Sequence, residues 1–414
     1  MNVFVKIASI VAISLLCVCC NRTHKEYHDE FDIEVYTPQY ASGFDIRANN
    51  EGAILLRVTR PWQGKALTEQ RLAIFPTKDM AEGYDGQYIV GAARRIVCMS
   101  TSHVAMLDAI GRSDIIVGVS GKQYIMNEDV ANSASIKDVG YDSSLDFEML
   151  VALHPDVVLM YGVAAENRAV TAKLRELRIP YIYLGDYTEQ SPLGKAEWMV
   201  AVAEIVGCRE HGEQLFKDVV TRYEAIRKSI SNDTKPRVMF NLPYQDVWYM
   251  PSDDSYMVRL VEDAGGEYIY KGKNTSGGSK GISLEEAVML VDRADIWLNV
   301  GQCTSLEELR SVAPHFATSG VVRRGNVYNN NLRRTSAGGS DFWESAIVRP
   351  DVVLSDLASI MTGSGEALYY HQKLEWHDTT ERAYHTQYTL CSPERSSHHP
   401  CPLRAAHRHH GDTS

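Results

Sequence analysis

Arg95-Ile96-Val97-Cys98-Met99 and the polar Ser100-Thr101-Ser102-His103 behind it open the stretch that decides the fold. A helical pattern follows from Val104 to Ile110, and Ile115-Ile116-Val117-Gly118-Val119 is the next short apolar run. Phe147 to Leu153 and Val170 to Leu177 have helical spacing, and Val157-Val158-Leu159-Met160-Tyr161 and Tyr181-Ile182-Tyr183-Leu184 have the length of strands. Continuous apolar strands alternating with helices predict an α/β unit with a mainly parallel sheet, buried on both faces.

Beyond this unit, residues 193–230 are almost entirely helical, with Leu215, Val219, Tyr223 and Ile226 along one face and Gly207 breaking the run in two. After Pro236 the alternation resumes. Strands are expected at 237–242, 295–300 and 326–328, and helices at 257–264, 284–291 and 350–361. An internal echo links the two halves. Phe147-Glu148 leads a helix into Asp156, an apolar strand and Gly162, and Leu284-Glu285 leads a helix into Asp295, an apolar strand and Gly301. The fold class expected is α/β, with two Rossmann-like lobes joined by a long helix. Short alternating runs such as Ala53-Ile54-Leu55-Leu56-Arg57-Val58 predict a small β-rich prefix ahead of them. Residues 21–40 are polar and read as a tether, and the Ser/Pro/Arg/His-biased tail carries half of the fourteen histidines and reads as disordered. The expected division is 1–19 signal peptide, 20–92 tether and prefix, 93–190 first lobe, 191–234 interlobe helix, 235–375 second lobe and 376–414 tail.

Composition narrows the function. The 414 residues carry 42 Lys and Arg against 53 Asp and Glu, a formal charge of −11. Neutralising a phosphate backbone needs the opposite balance, so no nucleic-acid partner is expected. At 44% hydrophobic and 23% charged residues, the chain is not a disordered one. Lys6 precedes the apolar run Ile7 to Cys20, too short to span a bilayer and patterned as a secretory signal. The cysteines closing it resemble the lipobox of bacterial lipoproteins. Cys20 is the expected lipidated residue, with small Cys19 before the cut, and Cys19 is the alternative. Between signal and tail only Cys98, Cys208 and Cys303 remain, without zinc or disulfide spacing.

The chemistry sits at strand ends. No HExxH or GxSxG occurs, and the Gly266 to Lys273-Asn274 segment lacks the spacing and the hydroxyl of a phosphate-binding loop. Carboxyl ends of strands in α/β sheets are where ligands bind. There the first lobe offers Ser102, His103, Lys122, Tyr124, Tyr161 and Tyr187. The second offers Tyr244, Trp248, Gln302, Arg334 and Trp343. Aromatics with a few cations suit a large, partly apolar, often anionic ligand. Core packing is the bland alternative for any one aromatic, and sequence neighbours such as Ser102 and His103 rarely have triad geometry. Glu148 and Glu285 fall in helix first turns, where the dipole favours a carboxylate. Ser283 with Glu286 fits a capping box, which leaves Glu285 free to meet a cationic partner.

The chain resembles the periplasmic binding proteins of ABC importers for cobalamin, iron-siderophores and haem, whose lobes are joined by one long helix. The resemblance rests on Arg95-Ile96-Val97 through Ser120, Asp146-Phe147-Glu148 through Val158, Pro192 through Trp198, Trp248-Tyr249-Met250-Pro251, Ala264-Gly265-Gly266, and Gly338 through Ser345 to Arg349-Pro350-Asp351. It implies a metal chelate held between lobes with little hinge motion. It also implies Glu148 and Glu285 contacting arginines of the permease, and a monomer in the periplasm, lipid-anchored to the membrane, serving a permease and ATPase complex. No catalytic residue, resident cofactor or protein-held metal is implied, since the three-histidine set of the zinc and manganese binders is missing. His103 as an axial ligand to the cargo's metal, a hydrolase-like enzyme using His103 with a neighbouring hydroxyl, and a non-transport surface lipoprotein are the remaining alternatives.

Overall fold

The structure is a computed structural model, and it describes residues 31–63, 68–231, 234–275 and 278–376. The signal segment with Cys19 and Cys20 and the His-rich tail beyond Trp376 lie outside the described residues. The chain forms two compact units. One is drawn from the chain up to Asp233, from Asp254–Gly265 and from Arg333–Tyr370. The other is drawn from Thr234–Asp253, Gly266–Leu332 and the chain from His371 on.

The first unit opens with five strands, β1 (Ile33–Tyr36), β2 (Phe44–Ala48), β3 (Ile54–Val58), β4 (Gln70–Phe75) and β5 (Tyr88–Val90), in that spatial order. The first four pair antiparallel, and β5 runs parallel to β4. Residues 33–36 are therefore a strand and not part of a tether. Tyr36 stacks on Phe44, with ring centroids 6.1 Å apart, and supplies an apolar contact that the polar local sequence does not advertise. Strands β6 (Ile96–Cys98), β7 (Ile116–Val119), β8 (Lys137–Asp138), β9 (Val157–Tyr161) and β10 (Tyr181–Leu184) form an all-parallel sheet in the order β10-β9-β6-β7-β8. Such a sheet needs crossover helices and buries both faces, as the apolar runs require.

Two helices follow, Pro192–Ile205 and Arg209–Ser229, separated at Gly207, whose φ of 72° suits glycine. The first has Ser191 as N-cap and proline in its first turn, and it is buried on every side. It brings Glu197 and Trp198 inside. Trp198 packs 4.8 Å from the Phe44 ring. The Glu197 carboxylate accepts from the Tyr36 hydroxyl and from the backbone N–H groups of Gln39, Tyr40 and Ala41, at 2.7–2.8 Å. Glu189 accepts from the N–H groups of Ser42 and Gly43 and from the Trp198 indole. The second helix is amphipathic. Its Tyr223 hydroxyl donates to Asp263, and Arg222 pairs with Asp351, so Tyr256–Asp263 and Pro350–Thr362 pack with the first unit.

The second unit carries β11 (Arg237–Phe240), β12 (Val247–Met250), β13 (Glu267–Tyr268), β14 (Lys280–Ser283), β15 (Ile296–Leu298), β16 (Val327–Asn329) and β17 (Gln372–Lys373). Its sheet runs β13-β11-β15-β16-β17, parallel except for β17, and β12 pairs antiparallel with β14 beside it. The internal echo has a structural basis. Asp156 donates its N–H to the Arg95 carbonyl and accepts from the Arg94 and Arg95 N–H groups. Asp295 donates to the Arg237 carbonyl and accepts from the Arg237 N–H. In each unit an aspartate ahead of one strand latches the start of its parallel neighbour.

Replacing Glu197 with alanine removes the acceptor of the half-buried N–H groups of residues 39–41. Losing several charge-assisted bonds should cost about 3 kcal/mol or more. Denaturant unfolding measures the cost, and limited proteolysis should cut residues 31–43 faster. An unchanged unfolding midpoint and cleavage pattern would show that the carboxylate does not hold this segment.

Candidate functional site

The carboxyl ends of the first unit's parallel strands form a rim of exposed aromatics. Tyr161 ends β9, Tyr187 follows β10, and Tyr124 lies in the turn after β7, each with an exposed ring. Tyr141, which the sequence reading passed over, is exposed after β8. It accepts a 2.7 Å hydrogen bond from Gln123. Gly121, with φ of 63°, sits between the rings of Tyr124 and Tyr141, and a Cβ there would lie 3.0 Å from an atom of each. Asp138 fixes this turn by accepting from the N–H groups of Gly121 and Lys122.

The segment 333–345 completes the rim within the same unit. Trp343 is 52% exposed, and its carbonyl accepts from Thr101 Oγ1 at 2.9 Å. Glu344 is buried and accepts from the N–H groups of Met126 and Asn127, both at 2.7 Å. Burial pushes its carboxyl up to about 7, against the pull of those two donors. The tightest contact explains the Gly338-Gly339 pair, because a Cβ on Gly339 would sit 2.1 Å from the Tyr124 carbonyl oxygen. Arg334 is exposed on this segment, whereas Arg333 is held by Asp341 and lies 4.6 Å from the Tyr369 ring centroid.

Three residues expected at the first unit's rim are occupied elsewhere. Lys122 turns inward, its Nζ donating to the carbonyls of Ser133 and Ile136. Ser102 is buried, with its hydroxyl bonded to Ser100 Oγ at 2.9 Å. His103 has no exposed surface at all. Burial pushes its imidazole down to about 4, with the Asp186 carboxylate and the Leu159 backbone pulling the other way. A ring in the core cannot serve as an axial ligand to a bound metal or as a base for a substrate.

The second unit shows its own strand-end surface. Tyr244 is 65% exposed and Gln302 is exposed, with Tyr249 a further exposed ring that the sequence reading missed. Trp248 is not at this surface. It is fully buried against Trp297 and Phe316, at 5.6 and 5.1 Å between ring centroids, and its indole donates to the Phe240 carbonyl. Alternation along β12 sends Trp248 inward and Tyr249 outward. Asn241, Gln245, Asp246 and Asn299 follow β11 and β15 with φ between 48° and 68°. Left-handed non-glycine residues cost free energy and cluster at functional sites. Among the described residues no group of three His, Cys, Asp or Glu side chains is placed to hold a metal ion, and no helix is long and apolar enough to cross a membrane.

The profile of a family described as periplasmic binding protein matches residues 96–330. An uncharacterized lipoprotein of Methanocaldococcus jannaschii is 26% identical over 282 residues, 64% of this chain and 64% of that protein. The chain thus spans a little under two thirds of that curated relative's length. A periplasmic binding protein from Veillonella parvula shares the fold at 15% identity and a TM-score of 0.55, covering 75% of this chain and 98% of that one. A periplasmic heme binding protein from Pseudomonas aeruginosa is similar at 17% identity and a TM-score of 0.52, covering 69% and 99%.

His103 generates a pH prediction. The folded chain protonates it only near pH 4, whereas an unfolded histidine takes up its proton near 6.5. Unfolding therefore consumes a proton between those values. The neutral imidazole's contribution is complete above pH 6.5 and is lost as pH falls toward 4, by about 3 kcal/mol. On moving from pH 7 to pH 4, the native chain should lose about that much more stability than His103→Phe in denaturant titrations. Equal losses would show that the ring is not held neutral.

Proposed function

The chain belongs to the periplasmic binding protein family, and on that premise we propose that it is the substrate-binding component of an ABC importer, lipid-anchored in the periplasm through Cys20 or Cys19. The family consists of solute carriers and not enzymes, and the burial of His103 supports the same reading. The cargo is an iron-siderophore, haem or cobalamin.

The observation that carries this proposal is the rim of Tyr124, Tyr141, Tyr161, Tyr187 and Trp343 at the carboxyl ends of a parallel sheet. Exposed aromatic rings cost solvation unless a partner covers them, and flat apolar faces with polar edges suit a large chelate. The heme-binding Pseudomonas protein of the same fold supports this class of cargo.

Glu148 and Glu285 are the proposed permease contacts. Both are exposed in helix first turns. Asp146 caps the first helix by accepting from Met149 N–H, and Ser283 caps the second by accepting from Glu286 N–H, so neither glutamate is needed for capping. The backbone N–H of Glu285 and the Ser283 hydroxyl hold the Glu285 carboxyl below its ordinary value, which keeps it charged for an arginine.

Two measurements test the proposal. Thermal shift with haemin, cyanocobalamin, ferrichrome and ferric enterobactin should show stabilisation by at least one, and the purified protein should carry that cargo's absorption band. A flat response to all four would sink the reading. The double variant Glu148→Ala/Glu285→Ala should bind its cargo with unchanged Kd and yet fail to support uptake in cells. Loss of affinity in that variant would place the glutamates at the cargo instead.

A further inference from the structure

The β3–β4 connection of the N-terminal sheet reaches the same strand ends. Arg60 and Trp62 lie there, ahead of the region matched by the family profile, which begins at residue 96. The segment is fastened to the ends of β9 and β10 by two hydrogen bonds, Gln63 N–H to the Val163 carbonyl at 3.0 Å and Thr188 Oγ1 to the Arg60 carbonyl at 3.1 Å. Two glycines admit it. A Cβ on Gly185 would lie 2.4 Å from the Arg60 carbonyl oxygen, and one on Gly162 would lie 3.3 Å from Trp62. Trp62 closes the contact edge-on against Tyr183, with centroids 5.4 Å apart. Gly162 directly follows rim residue Tyr161, and Gly185 and Thr188 bracket rim residue Tyr187.

Arg60 is exposed there. Among the described residues its side chain makes one long hydrogen bond, 3.4 Å to Ser42 Oγ, and no carboxylate pairs with it. Of the other basic groups near this surface, Arg334 is exposed and three are committed. Lys122 serves two carbonyls, Arg333 serves Asp341, and the buried Lys195 donates to the Asp186 carbonyl. An unpaired guanidinium on a backbone fixed at Gly185 and Thr188, the residues that flank exposed Tyr187, is suited to a carboxylate or other acidic oxygen pair.

We propose that residues 59–63 of the N-terminal sheet are part of the cargo-binding rim, and that Arg60 is a specificity-determining residue that receives an acidic group of the cargo beside Tyr161 and Tyr187. The inference rests on the proposed function, since it assigns one more contact to the same rim. It gives the prefix a task in choosing cargo, in favour of chelates that carry a carboxylate, phosphate or catecholate charge.

Equilibrium dialysis of the full chain against haemin, cyanocobalamin, ferric enterobactin and neutral ferrichrome tests it, with Arg60→Gln, Arg60→Lys, Tyr161→Ala and Tyr187→Ala alongside the native protein. The tightest probe should be an acidic one. Arg60→Gln should weaken it about tenfold, as the loss of one charge-assisted contact would. Arg60→Lys should recover part of that loss, and the melting temperatures of both arginine variants should stay unchanged. If the tyrosine variants weaken binding and Arg60→Gln does not, or if ferrichrome is the tightest probe, this inference falls and the proposed function stands. If no probe binds the native protein, both fall; if a probe binds and none of the four variants alters it, this inference falls and the cargo sits elsewhere than on the rim.

Discussion

Two carboxylates on one buried helix and the turn before it organise the first unit. Glu197 and Glu189 together accept from the backbone N–H groups of residues 39 to 43, apart from the bonds they take from side chains. A carboxylate inside a protein is costly unless donors surround it, and N–H groups turned toward the interior need an acceptor. Each liability cancels the other. The consequence is geometric. The chain enters the first unit at a fixed place, with Gly43 so close to Trp198 that a Cβ would approach its ring to 2.7 Å. From there β2 and β3 deliver residues 59–63 to the ends of β9 and β10.

The parallel sheets obey a second constraint of the same kind. Their strands start next to one another with no hairpin to set the register, and an aspartate side chain supplies the missing link in both units, Asp156 to the start of β6 and Asp295 to the start of β11. With register set at the amino ends, side chains at the carboxyl ends fall in fixed places. The loops there need no regular pairing of their own, and they carry exposed rings and four of the six left-handed non-glycine residues among those described.

Much of the first unit was legible in the sequence, because its strands are continuous apolar runs and its helices have caps and a glycine break. Phe147–Leu153, Val157–Tyr161 and Tyr181–Leu184 are bounded as the pattern predicts, and Gly207 separates the long helices. Short elements such as Glu128–Asn132, Leu306–Val312 and the β12–β14 pair were not legible, since the two helices hold too few apolar residues to show a period and the strand pair joins segments distant in sequence. Nor could the sequence show that Asp254–Gly265 and Arg333–Tyr370 pack with the first unit, because the Tyr223–Asp263 and Arg222–Asp351 bonds join residues 40 and 129 apart. At the candidate site the aromatics of the first unit lie at or just past strand ends, as the sequence pattern suggests, but their exposure depends on tertiary packing. Alternation along 247–250 was the available signal that Tyr249, and not Trp248, faces out. Nothing local marks Lys122 as spent on two carbonyls, or Tyr141 and Arg60 as exposed neighbours of the rim.

A rim built on loops is useful to a binding protein only if it does not reorganise on contact, since ordering loops and side chains subtracts from affinity. Here exposed rings of the first unit ride on backbone pinned by polar side chains. Asp138 holds the turn before Tyr124, and Glu344 ties the segment bearing Trp343 to Met126 and Asn127. Lys195, buried from the long helix run, holds the Asp186 carbonyl next to Tyr187, with its ammonium 4.7 Å from the Tyr256 ring centroid. A lysine and a glutamate withdrawn from solvent are poor stabilisers in their own right, because desolvation offsets most of what their hydrogen bonds contribute. Their contribution is to position: each fixes a single loop conformation, so the aromatic faces are already placed when a cargo arrives.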